Sequence, residues 1–509
     1  MEVSEAGKKT EFLNYRPPFF AAISLACGIA VSALLRNIWW SEIVAAVIFI
    51  ALFIIGIYKK NKLMRLLCGW TAAGIIVFYL YYAYTVTMPI AEYGYVTGRV
   101  TELMTVYDNG GRYLLTEVTF NGEELKGYAE LTTVQKLSVA DVIGFQGRLF
   151  LADINPFDSY GASLMGDGIR YIAETDYLSL VAQDTPTVVE RIKEALYNTL
   201  TANTDTESAG MIMGLMLGER GGISREVSQT LSAAGISHVL SVSGLHVSFM
   251  AAMVYGFMRL IRRPPKKALI PLAIILPFYC LLTGFEPGVI RASVTTLVFL
   301  ISLSTKGRYD ALNALSASAI VILAVMPWSL FDLSFQMSYA AVLGIILFYR
   351  PIYRAIVPWK SNKKSFVWVR KAGQAVALSI SANVLLTGIL LSVFGSFAVY
   401  FIPANFIAVP IASIIYMLSV PVSLLSLIIP ESGILFTPIG YLTRIFIDFS
   451  ALFAGLPGGT VHAAVPMAAA ALFCFGLVFG SDINLLNKKV KFTVAGISTA
   501  FFVIMLFTG

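Results

Sequence analysis

Charged residues, histidine and cysteine are all scarce in this sequence. Of its 509 residues only 13% are charged and 57% are hydrophobic, and the mean hydropathy is +0.76. A soluble domain carries about 25% charged residues, so this composition excludes a soluble protein. It indicates a polytopic α-helical membrane protein.

Residues and motifs that usually carry chemistry are also few. The chain has three histidines, and its four cysteines all lie within apolar stretches, at Cys27, Cys68, Cys280 and Cys474. This placement excludes a disulfide framework and a cysteine metal motif. The sequence contains neither the nucleotide-binding pattern G-x-x-x-x-G-K-[ST] nor the hydrolase pattern G-x-S-x-G. We therefore expect no catalytic residue, no metal site and no cofactor, and a driving force that another protein supplies.

Apolar runs of about 20 residues predict the transmembrane helices. Thirteen such runs can be read, of which about ten to thirteen are expected to cross the membrane. They lie near residues 17–36, 39–58, 66–86, 239–261, 268–284, 287–304, 311–327, 332–349, 373–395, 402–428, 433–455, 464–480 and 493–508.

Basic residues predict the orientation, because short cytoplasmic loops are enriched in Lys and Arg. If these spans are correct, every basic run falls on one side of the membrane, at 58–65, 259–267, 305–308, 350–371 and 487–491. The N-terminal tail shares that side through Lys8, Lys9 and Arg16. The sequence thus predicts a multi-pass protein of the cytoplasmic (inner) membrane. Its N-terminus would be cytoplasmic, its first span an uncleaved signal anchor, and its C-terminus outside.

Residues 91–185 interrupt the apolar pattern. Segments of period-two alternation are separated there by Asn-Gly and Gly-Gly turns, which is typical of an antiparallel β-domain. About five strands in this length suit a small OB-like barrel, and the three preceding spans predict that it is external. Its 14 acidic and 6 basic residues give a formal charge of −8. That charge argues against nucleic-acid binding and favours a structural or partner-docking role.

The β-domain divides the chain into an N-terminal transmembrane part (1–90) and two later parts. Residues 186–236 are expected to form interfacial or amphipathic helices, and residues 237–509 a transmembrane channel region. Within 186–236, Ser224 is predicted to cap a short helix that Gly235 ends.

Polar and small side chains gather where the span near 239–261 begins. They are His238, Ser241, Ser243, Gly244 and His246. A continuous helix would direct these polar groups to two different sides. Either two neighbouring helices satisfy them, or the helix breaks at Ser243-Gly244 and exposes backbone to a cavity. A metal site of two histidines is disfavoured, because no carboxylate lies nearby in the sequence.

Ionisable and amide side chains recur in later spans, at Glu286, Arg291, Asp332, Gln336 and Asn405. Ionisable groups inside spans are costly, and they either line a pathway or brace the bundle by pairing. Both alternatives stay open here. Pro403 and Pro410 predict a helix interruption around Asn405, while the i,i+4 spacing of Arg444 and Asp448 predicts a structural ion pair.

An ordered series of segments resembles the ComEC family of competence proteins, which carry single-stranded DNA across the cytoplasmic membrane. The segments are GLMLGERGGIS, AGISHVLSVSGLHV, GFEPGVIRAS, GRYDALNALSASAI, PWSLFDLSFQMSYAAVLGI and FIPANFIAVPIAS, and they cover most of 207–480. The resemblance implies a DNA-conducting pore lined by the ten polar and glycine residues named above.

The same resemblance implies partners for the chain. These are single-stranded DNA, the lipid bilayer, a cytoplasmic ATPase or helicase that could dock on the basic loop 350–371, external DNA-receptor proteins, and further copies of the chain in a homo-oligomer. Many family members end in a metallo-β-lactamase-like domain thought to degrade the other strand. This sequence stops at Gly509 with three histidines, so no nuclease activity is expected of it.

Two other functions fit the same residues. A small-molecule or ion-coupled transporter could use the polar side chains within the spans, although such transporters usually show inverted repeats and none is visible. A membrane-embedded hydrolase could use Ser243 as nucleophile and His246 as base, provided that the two lie within hydrogen-bonding distance.

Overall fold

The computed structural model describes most of the chain. The described residues are 16–36, 39–85, 91–107, 110–152, 161, 164, 168–175, 177–219, 221–240, 242, 244–304, 309–357, 367–463, 465–481 and 488–508.

Three apolar helices open the fold. They are α1 (Pro17–Leu35), α2 (Trp39–Tyr58) and α3 (Lys62–Thr85). Leu25 and Ile29 of α1 and Phe78 of α3 are buried against Trp328 of a later turn. The N-terminal helices therefore pack on the later membrane region rather than standing apart from it.

A seven-stranded β-domain follows. Its strands are β1 (Ala91–Tyr107), β2 (Gly110–Phe120), β3 (Glu123–Glu124), β4 (Tyr128–Thr133), β5 (Asp141–Leu151), β6 (Ile169–Glu174) and β7 (Ser179–Gln183). Five of them close into a barrel in the order β1-β2-β4-β6-β5, with β5 returning to β1. The predicted OB-like barrel is thus confirmed. One neighbouring pair, β4 and β6, is parallel rather than antiparallel, because strand direction cannot alternate at every pair in a closed ring of five strands.

Local sequence accounts for the barrel's turns and core. Phe120 pairs with Glu123 across the two-residue loop Asn121-Gly122, whose φ angles are 51° and 86°. Positive φ at both positions defines the turn that Asn-Gly favours. Along β2, buried and less buried residues alternate over most of the strand. One face of each strand therefore fills the barrel.

Two arginines attach the barrel to helices. Arg99 of β1 donates from Nη1 and Nη2 to the carboxylate of Glu190, at 2.9 and 2.6 Å. Glu190 lies in the first turn of α4 (Val188–Asn203), where it also forms a capping box with Thr187. On another side, Arg170 of β6 donates to the Tyr81 hydroxyl of α3 at 3.0 Å.

The next two helices differ in their surroundings. In α5 (Thr206–Leu217), ten of twelve residues are buried, so this helix lies inside the protein. Helix α6 (Arg225–Ala233) is amphipathic, and Ser224 caps it by accepting from the Val227 amide. Gly235 follows it at φ 74°. Both predicted ends of this helix are therefore confirmed.

The remaining chain is almost entirely helical. The helices are α7 (Gly244–Leu260), α8 (Leu269–Leu282), α9 (Pro287–Ser304), α10 (Ala311–Val325), α11 (Leu333–Ile356), α12 (Val367–Val393), α13 (Phe401–Ser426), α14 (Phe436–Ala454), α15 (Met467–Gly480) and α16 (Lys488–Thr508). A two-stranded ribbon joins β8 (Ser396–Ala398) to β9 (Thr460–His462). The largest buried core is formed by α4 to α9 together with α13 and α14.

Every predicted span contains a helix, and the polytopic helical fold is confirmed. Among the described residues, eight helices are long and apolar enough to cross a membrane: α1, α2, α3, α11, α12, α13, α14 and α16. The others are shorter, and α8 and α15 have only 14 residues each. At 1.5 Å per residue they reach about 21 Å, against a hydrocarbon thickness of about 30 Å.

Two local predictions are wrong. Helix α13 runs without interruption through Pro410, because proline removes one backbone hydrogen bond while the rest of a long, packed helix is retained. Arg444 and Asp448 of α14 are both exposed and form no salt bridge with each other. Water and salt weaken an exposed pair, so the helical spacing alone does not enforce it.

Candidate functional site

The polar segment before α7 is not part of a continuous helix. A 3₁₀ turn spans Ser237–Val239, and α7 begins only at Gly244. The predicted helix over 239–261 is therefore wrong at its start, and the alternative with a break near Gly244 matches the structure. Ser241 and Ser243 lie outside the described residues.

Two of the candidate residues, His238 and His246, line one small cavity. It has a volume of about 160 Å³, and its other lining residues are Val239, Leu245, Val409, Ala412 and Ser413. His246 is 2% exposed, and its ring lies edge-on to Tyr416 of α13 with 4.7 Å between centroids. The described residues contain no group of three metal-ligating side chains.

Gly244 and Arg291 meet on another side of the same helix start. A Cβ atom on Gly244 would lie 3.4 Å from Nη2 of Arg291. The guanidinium of Arg291 is itself buried, at 7% exposed, and its Nε donates to the Ser338 hydroxyl at 2.8 Å. Three helices, α7, α9 and α11, therefore bring their N-terminal turns together around one arginine.

A second glycine closes this junction. A Cβ on Gly288, in the first turn of α9, would lie 3.3 Å from the Val242 carbonyl oxygen and 3.8 Å from the Ser338 hydroxyl. Val242, just before α7, thus packs directly on α9, and α9 packs on α11 at the same glycine. We refer to Gly244, Gly288, Arg291 and Ser338 as the arginine junction.

Glu286 lies apart from the guanidinium, although it is only five residues away in sequence. Its carboxylate is beside Gly218, the left-handed residue that ends α5, where a Cβ would lie 3.2 Å from Oε1. The loop after Gly218 also touches the barrel, since a Cβ on Gly221 would overlap the Leu103 carbonyl of β1. One loop therefore contacts the barrel on one side and the entrance of α9 on the other.

Asp332 and Gln336 hold a turn together. Oδ1 of Asp332 accepts from the Phe335 amide at 2.9 Å and caps α11. Nε2 of Gln336 donates to the carbonyls of Leu330 and Phe331, at 3.1 and 3.3 Å. These contacts favour a structural role for Asp332 and Gln336, which brace the bundle, over a role in lining a pathway.

Asn405 lies in the second turn of α13 and is 9% exposed. Its Oδ1 has no hydrogen-bond partner within the described part of the chain. An unsatisfied buried carbonyl costs about 1–3 kcal/mol, so the site retains this amide at a cost to stability.

Sequence reasoning found Asn405 in α13 but missed two further residues of that helix. Tyr416 and Ser413 contact the histidine cavity or its wall, and both stand in a stretch that reads as a uniformly apolar span. The only signal was the four-residue spacing of Ala408, Ala412 and Tyr416, which places them on one face of a helix.

Comparison with known proteins covers this same region. The profile of a family described as "Competence protein" matches residues 215–483, slightly more than half of the chain. That stretch contains the histidine cavity and the arginine junction.

Individual relatives share part of the chain. ComE operon protein 3 of Bacillus subtilis (strain 168) is 31% identical over 205 residues, which cover 40% of this chain and 25% of that protein. The uncharacterized protein YcaI of Escherichia coli (strain K12) is 24% identical over 241 residues, which cover 44% of this chain and 29% of that protein. An uncharacterized protein of Aquifex aeolicus (strain VF5) is 32% identical over 124 residues, which cover 24% of this chain and 29% of that protein. The matched part thus spans less than a third of each relative's length. No solved structure matches the chain.

Proposed function

Because this chain belongs to the competence protein family, we propose that it moves single-stranded DNA into the cytoplasm during natural transformation. The observation that carries the proposal is the family match over 215–483. That region has apolar helices whose N-terminal ends surround buried polar groups. Such groups are costly inside a membrane protein and usually mark a pathway.

The proposed conduit is formed by α7, α9, α11 and α13. Three of these helices begin at the arginine junction, and α13 supplies Asn405 and the wall of the histidine cavity. Glu286 would stand at the mouth, next to the loop that touches the barrel. His238, Ser241, Ser243 and His246 belong to the same entrance in this proposal.

The geometry supports the orientation that we propose, with the barrel outside and the N-terminus in the cytoplasm. The barrel touches the loop beside the N-terminal end of α9. Arg259 and Arg350 lie near the opposite, C-terminal ends of α7 and α11. Basic residues favour the cytoplasmic side, so these ends would face the cytoplasm.

The proposed partners follow from what the sequence lacks. The chain carries no phosphate-binding nucleotide motif, so we propose that a cytoplasmic ATPase or helicase draws the strand inward. The acidic barrel repels phosphates. We therefore assign it to docking of an external DNA-receptor protein.

Uptake of labelled DNA by a deletion strain tests the proposal. Cells that lack the chain should bind DNA at the surface yet import none into a nuclease-protected pool, and a plasmid copy should restore import. Import at the normal rate without the chain would contradict the proposal. If deletion cells import DNA normally but fail to transport a small metabolite, the small-molecule or ion-coupled transporter is favoured.

A further inference from the structure

The geometry points to a phosphodiester-binding site at the arginine junction. We infer that Arg291 grips one backbone phosphate of the DNA strand as it enters the conduit. This inference rests on the proposed function. It specifies that the guanidinium of Arg291 binds the negatively charged phosphate of the strand.

The first observation is the state of the guanidinium. Arg291 is 7% exposed, and only its Nε has a hydrogen bond, to Ser338. Within the described residues, Nη1 and Nη2 have no partner and no carboxylate lies within 4.0 Å. A buried charge without a counter-ion is strongly unfavourable. The junction is therefore built for an anion that is absent from the protein itself.

The second observation is the convergence of three helix starts. The helices α7, α9 and α11 have 17, 18 and 24 residues, and each has contacts at the junction through its first two turns. The N-terminus of a helix carries a positive partial charge. Their sum adds to the charge of Arg291 and makes this point attractive to an anion.

The third observation is the space left by glycine. The unpartnered Nη2 faces the position that a side chain at Gly244 would take. Gly288 opposes the Val242 carbonyl in the same way. A larger side chain at 244 would cover the guanidinium from this side, so glycine leaves Nη2 uncovered there.

The proposed cargo favours a phosphodiester over a carboxylate metabolite. Arginine presents two parallel N–H groups that match two oxygens of either group, but a polyanion offers the same group at every nucleotide, so a strand could pass through one fixed site step by step. The two acidic candidates have other contacts: Glu286 lies beside Gly218, and Asp332 caps α11.

The test measures binding of oligonucleotides to the full-length chain in nanodiscs of neutral lipid. Wild type, Arg291→Gln and Arg291→Lys are compared by fluorescence anisotropy over a range of salt concentrations. The probes are a short single strand and the same sequence with an uncharged methylphosphonate backbone. Arg444→Gln is the matched control, because Arg444 is exposed on α14 and forms no salt bridge within the described residues.

Arg291→Gln should weaken binding of the charged strand about 10- to 150-fold, the range for a lost hydrogen bond to a charged group. The slope of log affinity against log salt should fall by about 0.7, the value for one phosphate on a single strand. Arg291→Lys should recover part of both effects. Wild type and Arg291→Gln should bind the uncharged strand with equal affinity. Arg444→Gln should bind both strands with the affinity of wild type.

Unchanged affinity and salt slope in Arg291→Gln would overturn the inference. So would Arg291-dependent binding of anionic phospholipid, measured in a second set of nanodiscs that contain it, with no effect of Arg291 on DNA binding, since the ligand would then be a lipid headgroup. If Arg291→Gln fails to fold, Gly244→Leu serves instead, because it retains the arginine and fills its ligand space.

Import assays separate this inference from the proposed function. Normal import by Arg291→Gln cells, when deletion cells import nothing, would overturn the phosphate site and leave the function standing. Normal import by deletion cells would overturn the function.

Discussion

Single glycines decide how closely several helices approach their neighbours. Gly244 faces a guanidinium, and Gly210 of the buried helix α5 faces the backbone of Gly222. At Gly210 a Cβ would overlap the Gly222 backbone, a close approach that only glycine permits. At Gly244 a Cβ would just touch the guanidinium, and only a larger side chain would collide with it.

Gly244→Leu should abolish DNA import while the protein remains folded and inserted. Its side chain would fill the space in front of Arg291, whereas Gly244→Ala should retain partial import, because its Cβ contact of 3.4 Å is ordinary packing. Ser243→Ala should cost no more than about 1–3 kcal/mol, the range for a broken hydrogen bond, and should import better than Gly244→Leu. The reverse ranking, with a serine-reactive probe that labels wild type alone, would establish the hydrolase.

Gly210→Ala should destabilise the protein by about 1–3 kcal/mol, the usual range for overpacking. The new methyl group would overlap the Gly222 carbonyl, and the fully enclosed α5 has no free side toward which to shift. Gly256→Ala in α7 is the matched control. Nothing lies within 4 Å of its Cβ, so it should be neutral or stabilising by up to about 1 kcal/mol. Thermal unfolding in detergent measures both, and equal midpoints would refute the packing argument.

At the scale of elements, one ion pair fastens the barrel to the helical region. Arg99 and Glu190 are 6% and 8% exposed, and Asp184 accepts a further hydrogen bond from Arg99 Nε at 3.1 Å. Glu190 also forms the capping box at the start of α4 with Thr187. The barrel's attachment and the start of α4 therefore depend on the same carboxylate.

Arg99→Ala should loosen this junction by about 3–5 kcal/mol, because it leaves Glu190 buried without its partner. Hydrogen exchange in α4 (Val188–Asn203) should accelerate, while the barrel core should stay protected. Arg148→Ala provides the control, since Arg148 is exposed on the same barrel and surface changes usually stay within about 0.5 kcal/mol. Equal exchange in the two variants would show that the pair contributes nothing.

Acid should weaken the same junction. Burial alone would raise the pKa of Glu190, but hydrogen bonds from Arg99 and from Thr187 outweigh it and lower that pKa. A lowered pKa in the folded state contributes stability above the ordinary value of about 4.3, and this contribution is lost as the pH falls through the lowered value. Exchange in α4 should therefore rise below about pH 4.3 in wild type and change less with pH in Glu190→Gln. A parallel pH response in both would contradict the assignment.

At the scale of the whole molecule, the barrel touches the loop beside the N-terminal end of α9, whereas basic residues lie toward the C-terminal ends of α7 and α11. Cysteine labelling in a cysteine-free background tests which end is outside. Glu123→Cys in β3 is exposed and should react with an impermeant reagent in intact spheroplasts, whereas Lys59→Cys in the basic loop should react only after lysis. Asn121 is a poorer position, because its Oδ1 accepts from the Tyr95 amide. Labelling of Lys59→Cys alone in intact spheroplasts would invert the topology.

The sequence by itself determined the elements whose signals are local. Asn121-Gly122 specified its turn, Ser224 and Gly235 specified the ends of α6, and period-two alternation specified the barrel strands. In each case a few neighbouring residues settle the backbone, so no distant contact was needed.

Only the tertiary structure decided which of the polar side chains meet. Arg291 and Ser338 are 47 residues apart in sequence, and nothing in either segment indicates that Arg291 faces Gly244 while Glu286 turns to Gly218. Periodicity states which face of a helix is polar, but it carries no information about which helix lies opposite. The choice of neighbour depends on packing across the whole bundle. There α9 lies between the starts of α7 and α11, and so Arg291 is buried between Gly244 and Ser338.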